Sequence, residues 1–314
     1  MTTPHGIKKI AVLGAGLMGH GIALELAAHH RSVHLYDVSE QLLDKAVNRC
    51  RVGLKALNQA GLISFDEIET SISRISTSLD LSETVENTDL VIEAVSENLD
   101  LKRSLFRKVD KIAPSSAVLV SNTSTFLPSA LAVATQRPLQ VAGVHYYNPP
   151  HLLPGVEIIK GPETSDDTVE LLTGFYTSIG KRPALIHKEI QGFIGNRLQV
   201  ALLREAMAIV TSGHATAPEI DRVVRSRMGK LLSVAGPFEL ADNQGLDSVL
   251  ALAESEFPML AKDRSLPGVL MDKIHAGDLG VKTGRGFYDW TVESIEAWRK
   301  NMADSLIHMA TNDR

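Results

Sequence analysis

Short runs of β-branched and other apolar residues alternate, over the first half of the sequence, with longer stretches of helical spacing. Such alternation is typical of a parallel sheet whose strands are joined by crossover helices. A largely helical insertion from Glu40 to about Ser73 separates the second strand from the third. The predicted strands are Ile10–Leu13, Ser32–Tyr36, Leu90–Ile92, Ala117–Val120, Leu139–Gly143, Val156–Ile159 and Pro183–Ile186. The pattern predicts an α/β fold with a doubly wound sheet.

The pattern becomes all-helical near residue 188. Apolar residues recur at helical spacing from Gln191 to Thr211, and a glycine-containing helix end follows. Further helices are predicted from Pro218, over Ser248–Phe257 and over an amphipathic tail, Val292–Arg314. We therefore expect two domains, residues 1–188 and residues 189–314, the second being all-α and including the C-terminal tail.

Composition excludes several classes of protein. The 314 residues carry a net charge of -5, which provides no basic surface for a nucleic acid. Cys50 is the single cysteine, so we expect no internal disulfide and no cysteine-bound metal, and no metal site is predicted. No apolar run approaches the roughly 20 residues that span a bilayer, and Met1–Gly6 is too short and polar for a signal peptide. We expect a cytoplasmic protein without membrane or nucleic-acid partners.

A glycine-rich turn directly follows the first strand and leads into an alanine-rich helix. In a dinucleotide-binding turn the glycines allow a tight turn, close approach of the backbone to a pyrophosphate, and packing of helix on strand. Glycine triplets also serve ordinary turns, but Asp37 ends the next strand, where a carboxylate binds the ribose 2′-hydroxyl of NAD and repels a 2′-phosphate. The pattern predicts a Rossmann-type NAD site. The predicted cofactor-binding residues are Gly14, Gly16, Leu17, Met18, Gly19 and Asp37.

A second group of polar residues suits proton transfer. Glu157 can accept a hydrogen bond from one ring nitrogen of His145, which would make the imidazole a tuned proton acceptor. Ser124 follows a strand at the edge where open α/β sheets bind ligands, and Asn148 and Asn196 can donate to a substrate oxygen. Spacing alone leaves an alternative open, in which His145 is a buried, satisfied histidine and Glu157 a surface carboxylate.

Seven motifs follow one another along the chain. They are Gly14–Gly19, Glu93–Asn98, Ser121–Ser124, His145–Pro149 with Glu157, Gly192–Arg197, Gly236–Leu240 and Lys282–Tyr288. In this order they resemble the L-3-hydroxyacyl-CoA dehydrogenase family, whose members include 3-hydroxybutyryl-CoA dehydrogenases, over nearly the whole chain. The resemblance implies an NAD-dependent oxidoreductase of fatty acid metabolism that reversibly oxidises the 3-hydroxyl of a 3-hydroxyacyl-CoA substrate to the 3-oxo form.

The resemblance also implies roles for individual residues. His145 would be the general base and Glu157 its orienting partner, while Ser124 and Asn196 would contact the substrate oxygen, with Asn148 beside them. Further cofactor contacts would come from Glu97, Lys102, Ser124, Asn148 and Lys282. The helical domain would form a homodimer interface and close over the substrate.

Three departures from the family bear on the substrate. The family commonly offers a serine and a lysine to CoA from the helical insertion, and the aligned residues here are Gly53 and Ala60. Ser233–Ala235 stands where acyl-CoA members usually have a proline-methionine pair, and the chain continues beyond the Gly-Phe-Tyr segment to Arg314. Relatives that act on free carnitine, gulonate or a pyridine carboxylate often vary in these places. Ordinary drift is the alternative explanation, so CoA and non-CoA substrates both stay open.

Three other functions are each compatible with part of the sequence. Related β-hydroxyacid dehydrogenases use a lysine on the long helix after the Rossmann domain, but Gln191–Thr211 contains no lysine. A methyltransferase would not need the His145 and Glu157 pair. A non-catalytic NAD-binding protein, like the lens crystallin related to this family, stays as an alternative that the intact polar residues disfavour. His151 is expected either to contact a substrate carboxylate or to lie at the surface.

Overall fold

The computed structural model describes residues 6–312. Eight strands form one sheet: β1 (Lys9–Leu13), β2 (Ser32–Tyr36), β3 (Ile75–Ser78), β4 (Leu90–Glu93), β5 (Val118–Ser121), β6 (Val141–Tyr146), β7 (Gly155–Ile159) and β8 (Arg182–Ile186). They are hydrogen-bonded in the order β3-β2-β1-β4-β5-β6-β7-β8. All neighbours run parallel except β6 and β7, which are antiparallel. The predicted doubly wound sheet is confirmed.

The central strands are apolar because both of their faces are covered. In β1, Ile10 and Val12 pack into the core on one face of the sheet, whereas Ala11 and Leu13 pack into the core on the other face. Every residue of β4, β5 and β6 is buried. A strand buried on both sides reads as a continuous apolar run, which is the pattern that predicted these elements.

Seven helices cover the faces of this sheet. They are α1 (Leu17–Ala28), α2 (Glu40–Gln59), α3 (Asp66–Ser73), α4 (Leu81–Val85), α5 (Leu99–Ile112), α6 (Pro128–Ala132) and α7 (Asp166–Ser178), with a 3₁₀ turn at Pro138–Gln140. Side chains of Ser39, Asp80, Asn98 and Ser165 accept hydrogen bonds from the first turns of α2, α4, α5 and α7, which satisfies main-chain N–H groups at these ends. The predicted helical insertion corresponds to α2 and α3. The sequence missed β3, which follows them.

The remaining elements are helical. They are α8 (Gly195–Thr211), α9 (Ala217–Val223), a π-helical segment (Val224–Met228), α10 (Gly229–Leu232), α11 (Pro237–Gln244), α12 (Leu246–Glu256), a 3₁₀ turn (Phe257–Met259), α13 (Gly268–His275) and α14 (Val292–Asn312). No strand occurs after β8 in the described part of the chain, apart from isolated bridges near Gly280 and Arg285. No helix within residues 6–312 is long and apolar enough to cross a membrane.

Contacts group the described residues into two compact units that differ from the predicted domains. The first unit comprises residues 6–194 and 301–312, and the second is Gly195–Lys300. The division falls at residue 194, which is six residues after the predicted boundary at residue 188. The end of α14 groups with the first unit. The reason is apolar packing, because Leu306 and Ile307 of α14 contact a cluster that includes Leu24, Leu54 and Leu57 on α1 and α2.

Candidate active site

The glycine-rich turn between β1 and α1 has the geometry that its sequence predicts. Gly14 has a φ of +107°, and its N–H donates to the Tyr36 carbonyl oxygen at 2.8 Å. A Cβ on Gly19 would lie 1.7 Å from the Gly14 carbonyl oxygen, so a side chain cannot fit there, whereas the space around Gly16 is open to 4 Å. Gly16 is also the N-cap of α1. Main-chain N–H groups at a helix start can therefore face an anion without obstruction.

Asp37 lies beside this turn at the end of β2. Its Oδ2 accepts a hydrogen bond from the Ala15 N–H at 2.8 Å, and its Oδ1 accepts one from the Ser39 N–H at 3.2 Å. The carboxylate therefore holds the turn and is itself held beside it. Leu17 is 62% exposed, and Met18 packs against the core. An open turn next to a fixed carboxylate fits the pyrophosphate and ribose of a dinucleotide.

His145 and Glu157 are brought together by the antiparallel strands. They lie directly opposite each other in the register of β6 and β7. The Nδ1 atom of His145 lies 2.7 Å from Oε2 of Glu157, and both side chains are buried. A carboxylate can only accept, so Nδ1 carries the proton of this hydrogen bond and Nε2 presents a lone pair. The structure therefore excludes the alternative that Glu157 is a surface carboxylate.

Two aromatic rings and one main-chain group surround this His–Glu pair. The ring of Tyr147 meets the imidazole edge-on, with 5.2 Å between the centroids, and the ring of Phe193 lies 5.4 Å away. The Ile194 N–H donates to Oε1 of Glu157 at 2.8 Å. Burial, together with the nearby Glu157 carboxylate, raises the pKa of Tyr147 well above its usual value, so this phenol stays protonated. All three residues lie within motifs noted in the sequence, but none of them was predicted to contact the pair.

Ser124 and Asn148 are exposed where the sequence placed them, just beyond the carboxyl ends of β5 and β6. Carboxyl ends of parallel strands meet at one edge of a sheet, so these side chains share an edge with the glycine turn after β1. Asn122, which was not predicted to take part, ties the two strand ends together, because its Oδ1 accepts a hydrogen bond from the Tyr146 N–H at 2.9 Å.

Lys102 and Glu97 belong to a polar network beneath this edge. Lys102 is 1% exposed, and its Nζ lies 2.7 Å from Glu93 Oε1 and 3.2 Å from Glu97 Oε2. Burial would raise the pKa of Glu97, but hydrogen bonds from Thr123 and the charge of Lys102 hold that pKa below its usual value. The structure thus places Lys102 under Glu97 rather than at the surface. Direct cofactor contact by either residue stays a prediction.

Asn196 and Lys282 lie in the second unit. Asn196 is in the first turn of α8, and Lys282 is exposed in the segment between α13 and α14. Their contacts with substrate and cofactor stay predictions.

The structure leaves His151 partly exposed, with much of its ring enclosed by the protein. Its Nε2 lies 3.7 Å from where a Cβ on Gly53 would be, and its Nδ1 is buried without a hydrogen-bond partner among the described residues. Burial and the nearby His20 and Lys181 lower the pKa of His151 to about 4, so the ring is neutral at physiological pH. A neutral imidazole is a poor partner for a substrate carboxylate.

Lys181 fixes the loop that joins β6 to β7. Its Nζ lies 3.0 Å from Glu25 Oε1 and donates to the carbonyl oxygens of Pro150 and Leu153 at 2.5 and 2.9 Å. The ammonium is buried, so these three acceptors compensate its desolvation. No sequence motif marked this residue.

Among residues 6–312, no three His, Cys, Asp or Glu side chains lie together as metal ligands would.

Two family models divide the chain between them. The NAD binding domain of 3-hydroxyacyl-CoA dehydrogenase matches residues 9–190, and the C-terminal domain matches residues 192–290. The chain belongs to the 3-hydroxyacyl-CoA dehydrogenase family. This confirms the predicted family, the NAD cofactor, the dehydrogenase class and the order of a Rossmann-type unit before a helical one. Neither family model includes α14, which begins at Val292.

Relatives of two kinds resemble the chain. A mitochondrial hydroxyacyl-coenzyme A dehydrogenase from Sus scrofa is 38% identical over 291 residues, covering 90% of this chain and 91% of that one. A solved (S)-3-hydroxybutyryl-CoA dehydrogenase from Ralstonia eutropha is 32% identical with a TM-score of 0.76, covering 91% of this chain and 100% of the other. A solved 5-formyl-3-hydroxy-2-methylpyridine 4-carboxylic acid 5-dehydrogenase, an NAD+-dependent dismutase, is 30% identical with a TM-score of 0.90, covering 96% and 97%.

The position of Asp37 leads to a prediction about cofactor affinity. Asp37→Asn keeps an oxygen for the Ala15 N–H but removes the charge, whereas Asp37→Ala removes both. Since hydrogen bonds to charged groups contribute about 1.5–3 kcal/mol, we expect the Kd for NADH to rise about 10-fold or more in Asp37→Asn and further in Asp37→Ala. Fluorescence titration measures both. An unchanged Kd in both variants would contradict the ribose contact.

Proposed function

We propose that this chain reversibly oxidises the hydroxyl of a 3-hydroxyacyl substrate to the 3-oxo form, with NAD as cofactor. The observation that carries the proposal is the buried 2.7 Å hydrogen bond between His145 Nδ1 and Glu157 Oε2. Membership of the dehydrogenase family and the open glycine turn support it. A buried histidine that faces only a structural partner would not need a dinucleotide site at the same sheet edge.

Proton transfer would be the task of His145. Its Nε2 accepts the substrate hydroxyl proton as the C–O bond gains carbonyl character, and Glu157 stabilises the imidazolium that forms. In the reverse direction, the same imidazolium returns the proton to the carbonyl oxygen. Ser124, Asn148 and Asn196 would donate hydrogen bonds to that oxygen and stabilise its developing charge. NAD, when bound, supplies the hydride acceptor.

The cofactor would be held along the edge formed by β1, β2 and β4. The glycine turn would take the pyrophosphate, and Asp37 the adenosine ribose. Glu97 has a side chain that is 39% exposed, so it can reach a bound ligand from above Lys102. Lys282 stays a predicted cofactor contact.

A second candidate substrate is a free hydroxy acid or alcohol without CoA. The place of the family's CoA-binding serine is filled here, since a Cβ on Gly53 would lie 2.5 Å from Leu24 Cδ1. Ala60, at the place of the lysine, lines a space shared with Asp304, Ile307 and His308 of α14. The Asp304 carboxylate, which lines the same space as Ala60, disfavours a phosphate there. The TM-score of 0.90 with the pyridine-carboxylate dehydrogenase also favours this candidate.

The second unit would serve as a homodimer interface, as the family resemblance implies. Large apolar side chains are exposed throughout it, including Leu202, Leu203, Val223, Leu231, Phe238 and Phe257. It also contains an apolar cavity of about 490 Å3 near Leu203 and Trp290. Extensive exposed apolar surface is typical of a subunit interface. A cytoplasmic location and a role in fatty acid metabolism stay predictions from the sequence.

We expect His145→Ala to lower kcat by about 10²–10⁴-fold, because a general base commonly contributes that factor. The Kd for NADH should stay unchanged, since His145 is not part of the glycine turn. Steady-state kinetics and NADH titration measure the two quantities. His29→Ala, at the far end of α1, is the control and should leave both unchanged. Near-normal turnover by His145→Ala would refute the proposed base.

Turnover of paired substrates identifies the substrate class. Acetoacetyl-CoA and 3-hydroxybutyryl-CoA should be turned over efficiently if Gly53 and Ala60 are tolerated drift. Turnover of only free carnitine, gulonate or 3-hydroxybutyrate would favour the second candidate. In that case we expect Ala60→Lys to leave CoA esters unused, because Asp304 lies beside it. No turnover with any of them, while NADH still binds, would favour a non-catalytic NAD-binding protein.

The proposed interface predicts the mass of the particle in solution. Sedimentation should give about twice the chain mass of 34.0 kDa. Leu203→Glu places a charge at the apolar cavity and should shift the particle toward the monomer. Val133→Glu, at an exposed position in the first unit, is the control and should remain dimeric. A monomeric wild-type protein at micromolar concentration would contradict the interface.

A further inference from the structure

An unusual backbone turn precedes α8. Gly192 has a φ of +78° and Phe193 a φ of +51°. Glycine adopts this left-handed conformation freely, but a phenylalanine there meets a steric clash between its Cβ and the backbone. Such a conformation persists only where the surroundings enforce it, and it is enriched at functional sites.

The side chain of Phe193 and the next main-chain N–H both contact the His–Glu pair. The ring is fully buried, packs with Ile159 and Ile186, and lies 5.4 Å from the His145 imidazole. The following N–H, that of Ile194, donates to Glu157 Oε1 at 2.8 Å. Consecutive residues therefore contact both members of the pair, one through an aromatic ring and one through the backbone.

We propose that the left-handed Gly192–Phe193 turn is a positioning device that fixes both His145 and Glu157 in their productive orientation. The inference rests on the function proposed above. Glu157 has its Oε2 directed to His145, and the Ile194 N–H holds the other oxygen, so rotation of the carboxylate would break two hydrogen bonds together. The Phe193 ring, 5.4 Å from the imidazole, limits tilting of that ring. Phe193 is thus a positioning residue and does not itself touch the reacting atoms.

Two substitutions distinguish the effect of the Phe193 ring from the effect of the left-handed turn. Phe193→Ala and Phe193→Gly both remove the ring, but only glycine adopts a φ near +51° without strain. If the turn aims the Ile194 N–H, Phe193→Gly should retain more activity than Phe193→Ala. Because a misplacement of about 1 Å can cost 10²-fold in rate, we expect kcat to fall about 10²-fold in Phe193→Ala and less in Phe193→Gly. The Kd for NADH should be unchanged in both.

A second readout requires no substrate. The proton on His145 Nδ1, hydrogen-bonded to a buried carboxylate, should give a far-downfield proton resonance in the wild-type protein. Phe193→Ala should move or broaden it.

Phe175→Leu is the matched control, because Phe175 is equally buried but its ring contacts Tyr176 and Arg31 instead. Phe193→Leu provides a milder variant if Phe193→Ala does not fold. The proposal is overturned if the Phe193 variants match Phe175→Leu in kcat and leave the His145 resonance in place. It is also overturned if Phe193→Gly is no better than Phe193→Ala. Failure of the proposed function is distinguishable from failure of this proposal. If the proposed function is wrong, the wild-type protein shows no turnover and His145→Ala changes nothing.

Discussion

The reversal of the chain between β6 and β7 is the constraint on which the site depends. Antiparallel pairing sets His145 directly opposite Glu157, so two ionisable side chains are buried within hydrogen-bond distance of each other. A buried charge without a partner is costly, and removing either residue would leave the other uncompensated. The strands on the other side of β6 run parallel to it, so the His–Glu pair lies in the same sheet as the glycine turn after β1.

Polar side chains that are themselves held by hydrogen bonds support each part of this edge. Asp37 accepts from the glycine turn, Lys102 links Glu93 to Glu97, and Lys181 secures the loop between β6 and β7. Each of these side chains satisfies several partners, which raises the cost of any alternative conformation. The exposed residues that would meet ligands thus rest on groups that are already fixed before a ligand arrives.

Much of this architecture could be predicted because local pattern encodes it. Continuous apolar runs marked the central strands, and glycines with a following carboxylate marked the turn. β3 escaped prediction because Ile75–Ser78 is a short edge strand of mostly partly exposed polar residues. β6 extends beyond the predicted end at Gly143, since the polar His145 interrupts the apolar run. The left-handed conformation of Phe193 and the hydrogen bond from the Ile194 N–H could not be predicted from the sequence. Both depend on tertiary packing, because a residue type does not indicate which group its main-chain N–H contacts.

The packing of Leu306 and Ile307 against α1 and α2 makes the first unit discontinuous along the chain. During synthesis, domains generally fold as they emerge. The apolar surface around Leu24 and Leu54 therefore stays without its contacts from Leu306 and Ile307 until the whole second unit has been translated. A ribosome-bound chain would carry this uncovered patch for the time needed to make more than one hundred further residues (195–300).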